Sequence, residues 1–143
     1  MGNRAVITVE GSNIGIYLHW NGGPESVQAF LRVAKALKVR DPIGDPSYFY
    51  ARMTQIIANF FGGNMSVGVN SLDSLDCDNC DNGMYIIGAD FKIVKQKYTS
   101  GKDKKDKKHE DAVYNMALKA NYALFNTMDN EAISTLEALL IKE

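Results

Sequence analysis

The chain has little with which to staple itself together. Its 143 residues include two cysteines, three prolines and one tryptophan. Cys77 and Cys80 lie too close in sequence to cross-link distant parts, which excludes a disulfide-held scaffold and fits a reducing compartment. Long apolar runs are missing too. No stretch approaches the roughly 20 residues a membrane-spanning helix needs, and the opening MGNRAVITV lacks the apolar core of a signal peptide. Charge of one sign is also missing: 16 basic residues stand against 17 acidic ones, so no global field draws the protein to nucleic acid. These absences predict a cytoplasmic protein without membrane contact or strong nucleic-acid binding.

What is present suffices for one core. Hydrophobic residues make up 45% of the chain and charged residues 23%, ordinary values for a folded protein of common domain size. Residues 1–143 therefore read as a single domain. Ala5, Ile7 and Val9 alternate on one face of a first strand, and Glu10-Gly11-Ser12-Asn13 offers turn chemistry before a second strand begins at Gly15. Ile16, Leu18 and Trp20 continue the inward alternation, which leaves Tyr17, His19 and Asn21 on the opposite face. Gly22 and Gly23 then lead into a helix started by Pro24 and running to about Lys38, with Val27, Phe30, Leu31, Ala34 and Leu37 as its buried stripe.

A second helix, capped by Ser47, is stopped by Gly62-Gly63 and carries Phe49, Met53, Ile56, Ile57 and Phe60 on one stripe. Its outer side is unusual, because Arg52 is the only charged residue between Ser47 and Gly63. A surface helix ordinarily carries several charges, so the pattern predicts a helix covered on most sides, by the core and by a partner or ligand. Met65 to Val69 reads as a third strand, and Asn70 to Asn82 as a polar loop. Two further strands, MYIIG and FKIVKQKY, meet around Gly88-Ala89-Asp90. Residues 99–108 form a lysine-rich segment with the composition of a flexible loop. Residues 110–142 form a C-terminal helical pair, Glu110 to Phe125 and Asn130 to Lys142. The broad apolar girth of its first helix predicts a homodimer or higher homo-oligomer. The expected fold is thus α+β, an antiparallel or mixed sheet of about five strands with packed helices and this C-terminal pair.

Two groups of residues are candidates for a ligand site. The first is His19, Trp20, Asn21, Gly22 and Gly23. A strand, a glycine turn and a helix start aim free backbone N–H groups at one spot, and an aromatic beside an imidazole offers a flat face with a polar handle. A tight structural connection between strand and helix is the alternative reading. The second group is Tyr48, Arg52, Gln55 and Asn59, which share one line of the second helix. Arg52 needs either a buried carboxylate or an anionic ligand. The loop from Asp76 to Gly83 concentrates oxygen and sulfur ligands, but it lacks EF-hand spacing, and Cys77-x-x-Cys80 is half a zinc site, so no metal or other cofactor is expected.

At MGNRAVIT, GIYLHWNGGP, FFGG and LDCDNCDNGMYII, over roughly the first two thirds of the chain, the sequence resembles small accessory proteins of phages and mobile elements of Firmicutes-type bacteria. The resemblance implies glycine where this chain has Cys80. It also implies a bacterial host cytoplasm and an anti-defence setting. The corresponding expectation is a non-enzymatic protein that binds and sequesters a nucleotide-derived immune signal. Two alternatives accompany it. One is a protein-binding inhibitor of a host defence effector such as a CRISPR nuclease, acting through the acidic loop from Asp73 to Asp81. The other is a metal-dependent nucleotide hydrolase using Asp76, Asp78 and His19.

Overall fold

The computed structural model describes residues 2–62, 66–99, 106–121 and 136–141. Five strands, β1 (Ala5–Val9), β2 (Ile14–Leu18), β3 (Val67–Ser71), β4 (Met84–Ile87) and β5 (Ile93–Lys97), form one sheet in the order β3-β2-β1-β4-β5. The β1–β4 pair is parallel and the other three pairs are antiparallel, so the sheet is mixed and the fold is α+β.

The alternation in β1 and β2 has the expected consequence. Ala5, Ile7, Val9, Ile16 and Leu18 are all essentially inaccessible and join Tyr85 and Ile87 under α1 (Pro24–Ala36) and α2 (Pro46–Phe61). Phe30, Leu31, Phe49, Met53, Ile56 and Ile57 come down from the helices to meet them. Helix α3 (Lys107–Ala120) packs on α1 and α2, with Val113, Ala117 and Leu118 buried.

The other sheet face is closed by the β3–β4 connection. β3 and β4 both run parallel to β1, so the chain must return along the sheet between them. In doing so it lays Leu72 and Leu75 against Gly15 and arrives at Arg4, whose carbonyl accepts from Asn82 N–H. The loop from Asp76 to Gly83 is tied from within. The buried Asn79 amide accepts from the N–H groups of Asp81 and Gly83 and donates to the carbonyls of Asp76 and Gly83.

Several boundaries differ from the sequence reading. β3 starts two residues late and continues to Ser71, because Asn70 and Ser71 remain paired with Gly15 and Ile14. α2 starts at Pro46 with Asp45 as its N-terminal flank, and Ser47 donates its hydroxyl to Asp45 instead of capping the helix. α3 starts at Lys107, capped by Asp106, whose carboxylate accepts from the N–H groups of Lys108 and His109. The end of the lysine-rich segment is therefore helical, while its residues 100–105 lie outside the described part. Of the C-terminal pair, α3 and a helical turn at residues 136–139 are described, and residues 122–135 are outside. The two pieces meet where Tyr114 Oη donates to the Leu139 carbonyl and the Asn115 amide exchanges hydrogen bonds with the backbone of Ile141. No described helix is long and apolar enough to cross a membrane.

Candidate functional site

Helix α1 ends in a way that exposes cations. Val39 N–H donates to the Ala34 carbonyl and Lys38 N–H to the Lys35 carbonyl, the bonding of a Schellman motif with Lys38 in the left-handed position at φ +60°. The chain turns outward there, so Lys38 and Arg40 leave the helix on its solvent side. Asp41 and Asp45 then shape the approach to α2. Asp41 accepts from the N–H groups of Ile43 and Asp90, which holds its carboxyl below the ordinary range, the bond from Asp90 contributing most. Asp45 binds Arg40 at 2.7 Å, and Arg40 pulls its carboxyl below the ordinary range.

The first turns of α2 supply the opposite wall. The Arg40 guanidinium lies 3.9 Å from the centre of the Tyr48 ring, a cation–π stack that leaves Tyr48 half exposed. Arg52, one turn further on, donates to Gln55 Oε1 at 2.9 Å. Together Leu37, Lys38, Val39, Arg40, Tyr48 and Arg52 line a depression of about 230 Å³. None of its described lining residues is a carboxylate. Among the described residues, neither Lys38 nor Arg52 has a carboxylate within ion-pair distance, and Arg40 alone is neutralised, by Asp45. A concave surface with cations and one aromatic ring suits an anion that also carries a planar group.

The two groups singled out from sequence do not share this place. His19, Trp20, Asn21, Gly22 and Gly23 sit at the start of α1, and Tyr48 with Arg52 beyond its end. A helix of 13 residues spans about 20 Å, so one small pocket cannot hold both. Asn59 lies further along α2, donating to Asn121 Oδ1 of the α3 end at 2.9 Å, and Gln55 reaches the pocket only through Arg52. Lys38 and Arg40 were not among the sequence candidates. Their signal was faint, two basic residues at a spacing of two just after a helix.

The outer face of α2 is open. Tyr48, Arg52, Gln55 and Asn59 are all exposed in the described chain, so the charge-poor side expected to be covered is not covered by this chain's own described residues.

At the opposite end, β2 stops at Leu18, and Trp20 falls in a bend. It is 40% exposed, where the alternation placed it inward with Leu18. Tyr17 Oη lies 3.0 Å from His19 Nδ1, and the His19 and Trp20 rings meet edge to face at 5.1 Å. Gly2, Arg4, His19 and Asp81 line a depression of about 240 Å³ there. Arg4 is already bound to Asp81 at 2.8 Å, with Asp76 at 3.7 Å. The glycines beside it serve packing. Gly22 N–H donates to the Asn3 carbonyl, its own carbonyl accepts from the buried Tyr85 hydroxyl, and a Cβ would come within 2.7 Å of Ala5. Glu25 occupies the first turn of α1 beside Gly23, which places a negative charge where an anion would sit.

A larger depression of about 410 Å³ lies between α1 and the β4–β5 turn, lined by Arg32, Lys35 and Lys92 among others. Arg32 is bound by Glu110 and Asp111 and Lys35 by Asp90, so two of its cations are neutralised. The acidic loop holds Asp73, Asp76 and Asp78 at the surface. Among the described residues no three His, Cys, Asp or Glu side chains come together as a metal-binding group. Burial, with Asp76 and Asp73 nearby, raises the Cys77 thiol, which disfavours its reactive thiolate. Cys80 stands at φ +63°, a left-handed conformation that favours glycine. Compared with protein-family models, curated proteins and solved structures, the chain matches none, and its site is read from its own residues.

Proposed function

We propose that the protein is a non-catalytic binding protein that captures a phosphorylated, nucleotide-derived ligand in the pocket of Lys38, Arg40, Tyr48 and Arg52. The observation that carries this reading is the convergence of Lys38 and Arg52, neither of them paired with a carboxylate among the described residues, and the Arg40–Tyr48 stack on one depression. Arg52 donates to phosphate, Lys38 adds a point charge, and the Arg40–Tyr48 stack presents a flat surface to a base. In the phage setting implied by the resemblance, such a protein sequesters a host immune signal.

The test is thermal melting with inorganic phosphate, mononucleotides and cyclic dinucleotides, for wild type and for Arg52→Ala. A ligand at a hundred times its Kd should stabilise the wild type by about 2.7 kcal/mol. Because Arg52 is exposed and, among the described residues, is hydrogen-bonded only to Gln55, the variant should melt like wild type when unliganded and lose most of the ligand shift. A wild type that none of these compounds stabilises overturns the reading.

A further inference from the structure

The two edges of the sheet are built differently. β5 carries Lys95 and Lys97 along its length, and lysine on an edge strand opposes pairing with another chain. β3, at the other edge, reads Val67-Gly68-Val69-Asn70-Ser71 without a charge or a proline. Among the described residues no strand pairs with its outer side.

We propose that β3 is a homodimer interface, with a second copy adding its own β3 antiparallel about a two-fold axis at Val69, so that two five-stranded sheets become one. The register follows from the hydrogen bonds that β3 already makes. His19 N–H donates to the Ser66 carbonyl and Leu72 N–H to the Asn13 carbonyl, so even-numbered residues face β2 and the backbone groups of Val67, Val69 and Ser71 face outward. The Ser71 N–H meanwhile turns to its neighbour's side chain, Asn70 Oδ1 at 2.8 Å, as expected for an amide outside the ladder.

A two-fold axis at Val69 sets Val69 opposite its own copy, and Val67 opposite Ser71 of the second copy. All of these are outward-facing positions: Val69 exchanges N–H and C=O with its own copy and Val67 N–H meets the Ser71 carbonyl, while Ser71 N–H leaves Asn70 Oδ1 to complete its pair. Gly68 then faces Asn70 of the second copy. A Cβ at Gly68 would meet nothing within 4 Å, so that side has room for the asparagine. On the helix side Val69, opposite the buried Ile16 and itself 50% exposed, gains a valine partner.

Helix α2 continues the same surface. It lies over β2 and β3, and one flank carries the pocket residues Tyr48 and Arg52 as well as Asn59, which reaches α3. The opposite flank, Ser47, Ala51, Thr54 and Ala58, is uncharged and at least partly exposed. Helical periodicity turns it away from α1 and α3, toward the β3 edge. Small side chains there let two α2 helices approach across the axis.

Sedimentation equilibrium over a micromolar to sub-millimolar series tests the proposal. Wild type should be a dimer. Val69→Lys, which sets like charges directly opposite each other, should weaken dimerisation at least tenfold while circular dichroism and melting stay near wild type. Val94→Lys, an equally exposed valine on the β5 edge, should leave the dimer intact. Hydrogen exchange on wild type supplies a readout that needs no variant, since the Val67 and Val69 amides should be protected when concentrated and lose protection on dilution. A wild type that stays monomeric throughout, a dimer that survives Val69→Lys, or exchange at these amides independent of concentration overturns the proposal.

Discussion

The guanidinium of Arg32 on α1 and the carboxylate of Glu110 on α3 meet at 2.6 Å, and the Glu110 side chain is almost fully buried. Arg32 also binds Asp111 at 2.8 Å and lies 4.4 Å from the centre of the Tyr114 ring, so one cation fastens the start of α3 to the body of the protein. Removing one partner from a buried pair strands the other charge, at a cost of about 3–5 kcal/mol. Lys107 remains 3.0 Å from Glu110 and offsets part of that loss. Arg32→Ala should therefore destabilise by about 3 kcal/mol in urea unfolding, the low end of that range. A loss no larger than that of a surface substitution would show that the pair does not hold α3.

Lys38 is asked to do two things that conflict. Its left-handed backbone costs a side-chain-bearing residue about 1–2 kcal/mol, a cost that glycine avoids. Lys38→Gly should raise the melting temperature of the unliganded protein, by the equivalent of about 1 kcal/mol, while weakening capture of a phosphorylated ligand. Thermal melts with and without ligand measure both effects. A variant that gains stability and loses no ligand shift would remove Lys38 from the site.

Acid should loosen the corner where the N-terminal segment meets the loop after Asp76. The side-chain hydrogen bond from Arg4, then its backbone N–H, hold the Asp81 carboxyl below its ordinary value of 3.8. The folded chain thus takes up this proton less readily than the unfolded chain. The stabilisation is complete above the ordinary carboxylate range and is lost as pH falls from there through the depressed value. Melting temperatures from pH 6 downward (roughly neutral to strongly acid, the span over which carboxylates titrate) should fall more steeply for wild type than for Asp81→Asn. Parallel curves would show that Asp81 does not contribute to the acid response.

Gly22 offers a direct contrast between packing and ligand binding. Adding a methyl group forces it onto the Asn3 carbonyl and Ala5, and such overpacking costs about 1–3 kcal/mol. Removing the Tyr85 hydroxyl that donates to the Gly22 carbonyl at 2.8 Å should cost about 1 kcal/mol. Gly22→Ala and Tyr85→Phe should both lower stability, in that order of severity, while the ligand shift at the Arg52 pocket persists. Loss of that shift at unchanged stability would instead place Gly22 in a binding site.

The strands, the helices and their inward faces were legible because they rest on local periodicity. Ala5, Ile7 and Val9 declare a buried strand face within five residues, and Phe49, Met53, Ile56 and Phe60 declare a helix stripe within twelve, whatever lies beyond. The mixed α+β class follows from the order of such segments. Trp20 shows where periodicity stops: the alternation carries it inward, but the strand ends two residues earlier and the bend turns it out. Tertiary structure alone decided the candidate site. It put Gly22 and Arg52 at opposite ends of α1, because the length of a helix separates whatever flanks it. It brought Lys38 and Arg40 to Tyr48 and Arg52, because the left-handed turn at Lys38 folds the chain back onto the start of α2. A pocket is made by chain reversals and the lengths between them, and neither is written in the local alternation of residues.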